Sequence, residues 1–119
     1  MLLNDFFKIN AINQSDKYIV SIELNAEHAI FKGHFPNKPI TPGVCLTQMV
    51  KECLEKIIDK KLMLVNGSNL KFMAVLNPLV HPKAIITISF KEKENQLIYV
   101  DSSISSDETT FFTFKGSFR

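Results

Sequence analysis

The chain has 119 residues, 45% of them apolar, with 14 basic and 12 acidic side chains for a formal charge of +2. That length suits one domain burying roughly two thirds of its unfolded surface, and a near-neutral balance with no basic run offers no track for a nucleic-acid backbone. No apolar run approaches bilayer-spanning length and no signal peptide opens the sequence, so a cytoplasmic protein without a membrane partner is the expectation.

Met1 to Lys8 carries an apolar cluster, Leu2, Leu3, Phe6 and Phe7, that reads as a first strand or a short helical turn on the core. Asn13 to Asp16 is a polar turn, and Lys17 to Glu23 (KYIVSIE) predicts a strand following a hairpin. Asn25, as an N-cap, introduces one helical turn reaching Ile30. Gly33, Pro36, Pro39, Pro42 and Gly43 then stiffen a loop, by fixed φ values and by glycines where no Cβ fits.

From Val44, the residues Leu46, Met49, Val50, Cys53, Leu54, Ile57 and Ile58 recur at three- and four-residue steps, which predicts a helix to about Lys60, roughly 25 Å long. Its charges, Lys51, Glu52, Glu55 and Lys56, fall in the second half, so the first half is expected to be buried all round, as in a helix wrapped by a sheet. Cys45 and Cys53 lie about 12 Å apart along this helix, too far for a disulfide, and suit a reducing compartment. The position of Cys45 just inside the helix start is one that would lower a thiol pKa, but the residue is read as packing.

Beyond the helix come Leu62 to Val65, the turn Asn66-Gly67-Ser68, and a strand from Asn69 to Leu76 ended by Asn77-Pro78. Lys83 to Phe90, Gln96 to Ser105 and Thr109 to Phe118 predict consecutive antiparallel strands, separated by KEKEN and SSDE. The fold class is α+β, an antiparallel sheet against one central helix.

Chemistry points to the stiff loop. A lone loop histidine is more often structural than functional. His34, however, precedes a helix start at Gly43 whose first amides lack intrahelical partners and carry the positive end of the dipole. Each donor aimed at a developing oxyanion is worth on the order of 3 to 4 kcal/mol, and a histidine base adds roughly a hundred- to ten-thousand-fold. Together they suit proton abstraction next to a carbonyl. His28 and His81 read as surface residues and Asp101 as an exposed edge position. No cluster has metal-ligand spacing, and no metal or cofactor is expected. Met49, Met63 and Met73 either line an apolar tunnel with the phenylalanines or simply fill the core.

The stretch HFPNKPITPGV resembles the signature of the 3-hydroxyacyl-acyl-carrier-protein dehydratases of the hot-dog fold, in which a sheet wraps a long central helix and two chains pair. With the helix and LKFMAVLNPLV the resemblance covers about half of the chain. It implies that His34 is the catalytic base and that the Gly43 amide polarises a thioester carbonyl. Phe35, Pro42 and Val44 would stand beside them at the substrate. It also implies an acyl-carrier-protein or CoA thioester substrate and a homodimer, each site combining the histidine of one chain with the helix of the other.

One departure matters. Fourteen positions after the histidine the family places a carboxylate that protonates the departing hydroxyl; here that position is Gln48, and an amide cannot act as that acid. One turn later, where the related dehydratases carry glutamine, stands Glu52. Three readings are open: Glu52 supplies the acid from one turn deeper; dehydration is lost and a thioester-binding or hydrolytic role remains, with Gln48 orienting the group; or Glu52 is a solvated helix residue and Gln48 a satisfied polar group. The functional expectation is a variant dehydratase of fatty-acid or related lipid or polyketide biosynthesis. The alternatives are an acyl thioesterase, or a non-catalytic acyl-binding chain that completes a heterodimer with an active paralogue.

Overall fold

The structure, a computed structural model, describes residues 2–33 and 40–119. Strand β1 (Phe7–Gln14) and β2 (Tyr18–Leu24) form a hairpin, followed by the short helix α1 (Ile30–Gly33) and the long helix α2 (Gly43–Ile58). Strands β3 (Leu64–Phe72), β4 (Lys83–Glu92), β5 (Ile98–Ser106) and β6 (Thr109–Phe118) complete one six-stranded sheet in the order β1-β2-β4-β5-β6-β3, antiparallel at every pairing. This is the expected α+β hot-dog architecture.

Period-two alternation sets the inner face of the sheet. Val20, Ile22 and Leu24 of β2, Ala84, Ile86 and Ile88 of β4, and Ile98, Val100 and Ile104 of β5 are buried, while their neighbours in sequence are less so. Phe112, Phe114 and Phe118 of β6 are fully buried, each contributing about 2 to 3 kcal/mol by leaving water. Against them α2 lays Leu46, Met49, Val50, Cys53 and Leu54, all buried. The helix ends where Asp59 takes a left-handed conformation, φ 55°, and its N–H bonds the Glu55 carbonyl.

Several expectations need correction. The first half of α2 is not buried all round: Val44 is 77% exposed, and Thr47 and Gln48 are half-buried, because the sheet covers only one side of the helix. Asn66-Gly67-Ser68 is not a turn. It lies within β3, where two irregularities in the register absorb extra residues. The reason is a close backbone approach, since Gly67 pairs with Gly116 and a Cβ on Gly116 would strike the Asn66 carbonyl oxygen. The polar turn expected from Asn13 is shorter, because β1 continues to Gln14, and β4 extends through Lys91 and Glu92. Of the two expectations for the N-terminal cluster the helical turn holds rather than the strand, the Phe6 amide donating to the Leu2 carbonyl at 2.7 Å, and Asn25 holds a local turn through Glu27 N–H rather than a helix N-cap.

β3 stands at the edge of the sheet, and every one of its residues is exposed. Its apolar members include Leu64, Val65, Leu70 and Phe72, and Met63, Met73 and Val75 beside it are equally open.

Candidate active site

The site is built from the start of α2. Pro42 occupies the N-cap with φ −61° and ψ 146°; it has no side-chain acceptor for the first amides. Its carbonyl takes the amides of Cys45 at 3.0 Å and Leu46 at 3.3 Å. Among the described residues no acceptor faces the amides of Gly43 and Val44. These are the donors that a polarised carbonyl would need.

The neighbours of that helix start are fixed. The Thr41 amide donates to the Leu76 carbonyl at 2.9 Å, tying the entry of α2 to the segment that follows β3, and its buried hydroxyl has no partner among the described residues. Gly43 is required by proximity, since a Cβ there would lie 2.7 Å from Cε1 of Phe72. That ring stacks on Phe112, with centroids 5.0 Å apart and planes 29° apart.

One turn beyond Val44, Gln48 donates from Nε2 to Oε2 of Glu52 at 2.8 Å. Glu52 is only 3% exposed. Its carboxylate also accepts the Leu2 amide at 3.0 and 2.9 Å and the Leu3 amide at 2.7 Å. The reading of Glu52 as a solvated helix residue is therefore wrong: burial is balanced by three N–H donors. Every one of those partners is an N–H donor. The backbone amides of Leu2 and Leu3 were not foreseeable partners, because a main-chain donor leaves no mark in a sequence.

Other candidates fall elsewhere. His34 and Phe35, with Pro36 and Pro39, lie outside the described residues. His28 is no free surface residue: its side chain is 20% exposed, Nε2 lies 3.2 Å from Asp5 Oδ2, Nδ1 accepts the Ile30 amide at 3.1 Å, and the ring packs edge-on against Phe6. The Ile30 contact fixes the tautomer with the proton on Nε2. His81 is half-buried against Phe111. Asp101 is exposed but sits on the interior strand β5, opposite Ser89 and Lys115, not at an edge. Met49 is core, whereas Met63 and Met73 are 69% and 60% exposed beside the β3 edge. A concavity of about 780 Å³ lined by Lys17, Tyr18, Tyr99, Asp101 and Lys115 includes none of the candidate site residues.

The lowering that its position would give the Cys45 thiol pKa is also reversed. Burial pushes the Cys45 thiol up. At Cys53 burial and then the charge of Glu52 push it up to about 12. Both cysteines are free.

Residues 10–113 match the family model of the ApeI dehydratase. The chain belongs to the ApeI-like dehydratase family. Among solved structures, this ApeI-like chain is similar to the dehydratase heterocomplex ApeI:P from Xenorhabdus doucetiae, with a TM-score of 0.71 and 19% identity over 92% of this chain and 95% of that one. It is also similar to an uncharacterised protein from Erwinia carotovora subsp. atroseptica, with a TM-score of 0.62 and 16% identity over 93% and 90% of the two chains. No curated protein sequence matches it. The dehydratase kinship read from HFPNKPITPGV thus holds as membership of a dehydratase-type family, the ApeI-like one. At these identities the two structures speak for the fold alone.

Proposed function

We propose that the protein is a variant 3-hydroxyacyl-thioester dehydratase, a lyase of fatty-acid or related lipid or polyketide biosynthesis whose substrate is carried by acyl-carrier protein or CoA. The start of α2 carries this reading: the Gly43 and Val44 amides face no described acceptor, in a chain of a dehydratase family.

His34 takes the proton from C2 of the substrate. The negative charge that moves onto the thioester oxygen is held by the Gly43 amide and the helix dipole. Gln48 contacts the hydroxyl at C3, and Phe35, Pro42 and Val44 flank the acyl group. Glu52, bonded to Leu2 and Leu3, acts on the substrate only through Gln48. The hydroxyl therefore departs with a proton drawn from water rather than from a helix carboxyl, and the hydroxide so formed takes back the proton held by His34, which makes elimination slower than the preceding proton abstraction.

The working unit is a pair of hot-dog chains joined through the apolar β3 edge, in the first instance two copies of this one. A second reading has a specific observation behind it. Gln48 stands where the acid is expected, and the similar Xenorhabdus chain is named as part of a heterocomplex. On that reading the chain binds the acyl group and completes a pair with an active paralogue. Incubation with a carrier-bound 3-hydroxyacyl thioester separates the two: enoyl product formed by the purified chain supports the first, and product formed only after addition of a second hot-dog chain supports the second.

A further inference from the structure

Gln48 and Glu52 also determine which groups the site accepts at C3. A carboxylate only accepts hydrogen bonds, so the end of the Gln48 amide that faces Glu52 must be the nitrogen. Glu52 cannot turn aside to permit the opposite arrangement, because both of its oxygens also hold the Leu2 and Leu3 amides. A flipped Gln48 would set its carbonyl oxygen against a carboxylate oxygen at 2.8 Å, a state populated at roughly 1% or less. Among the described residues nothing donates to the oxygen that is thereby turned outward.

We infer that Glu52 is a positioning residue that holds the Gln48 carbonyl oxygen toward the substrate, and that Gln48 thereby selects a hydroxyl at C3 over a ketone. A 3-hydroxyacyl group can donate to that oxygen, whereas a 3-oxoacyl group offers only a second acceptor. The inference rests on the thioester reading for its ligand and on the helix geometry for its orientation.

The substitution Glu52→Gln tests it while keeping the anchor. An amide at position 52 still offers Oε1 to Leu2 and Leu3, at the loss of the second arm of the Leu2 amide on Oε2, and its nitrogen replaces Oε2 opposite Gln48. Gln48 must then turn its oxygen inward and its NH2 outward, inverting the contact at C3. Calorimetry with 3-hydroxyacyl- and 3-oxoacyl-pantetheine thioesters should show the wild type favouring the hydroxyl roughly tenfold, and E52Q losing or reversing that preference by a similar factor. An unchanged ratio in E52Q, with the fold intact by circular dichroism, overturns the inference. The side-chain amide resonances of Gln48 in the free protein, assigned by Gln48→Ala, give a reading independent of ligand. They shift in E52Q if the amide turns, and resonances that do not move overturn the orientation. If neither thioester binds the wild type but the resonances shift, the thioester reading and the selectivity fall and the orientation stands.

Discussion

Gln48 donates a 2.8 Å hydrogen bond to Glu52 one helical turn away, and Glu52 in turn holds the amides of Leu2 and Leu3. The pair is self-consistent in either order. With the two residue types exchanged, an amide at position 52 keeps Leu2 and Leu3 on its oxygen and donates to a carboxylate at position 48. The double variant Q48E/E52Q should therefore fold, and should dehydrate a 3-hydroxyacyl thioester about a hundred-fold or more faster than wild type, because an acid then touches the departing hydroxyl. Steady-state rates of enoyl formation check this.

Removing the carboxylate has a different outcome. Glu52→Ala strands the Leu2 and Leu3 amides and releases Gln48, and is expected to lower stability by about 2 to 4 kcal/mol. Urea unfolding should show this as a lower midpoint, with the N-terminal residues losing amide-exchange protection first. E52Q should stay within about 1 kcal/mol of wild type.

The Cys53 thiol yields a prediction in pH. Its pKa lies at 9.0 ordinarily and is pushed up to about 12 in the fold, so between these values the folded chain holds a proton that the unfolded chain has lost. Stability from this group is fully present below pH 9 and declines as pH rises toward 12. Thermal melting across alkaline pH should show that decline, and Cys53→Ser should flatten it. At neutral pH both buried thiols should react slowly with iodoacetamide.

Gly43 is constrained by the ring beside it. In Gly43→Ala the new Cβ meets Phe72, which must move because the backbone of α2 cannot. Activity is expected to fall by roughly tenfold to a hundred-fold as the donor and its surroundings shift, with stability changed by less than about 1 kcal/mol since alanine suits a helix better. Comparing kcat/KM with the melting temperature distinguishes the two effects.

The exposed β3 edge predicts association. Light scattering at micromolar concentration should give the mass of two chains, and Val65→Lys, which places a charge on that edge, should shift the population toward one.

How much of this was legible beforehand varied with the physics. The spacing of Leu46, Met49, Val50, Cys53 and Leu54 announced α2, because burial of one face imposes a period that a sequence displays. The bounds of β6 came out as read, its run of phenylalanines and threonines being bracketed by SSDE. Asn66-Gly67-Ser68 misled because the residues that make a turn also make a bulge, and the decision lay with Gly116 on a strand far along the chain. The fate of Glu52 was hidden for a related reason: its partners are main-chain amides of residues chosen for their apolar side chains. Cys45 showed the limit of a local rule, since its depth in the core raised a pKa that its place on the helix alone would lower.

Proton abstraction by His34 is tested by following a carrier-bound 3-hydroxyacyl thioester by mass spectrometry in deuterated water. Deuterium is expected at C2 of the remaining substrate, accumulating faster than loss of one water to the enoyl thioester, with both processes abolished by His34→Ala. Recovery of the thioester without deuterium or water loss, or release of the free acid instead, would contradict that role.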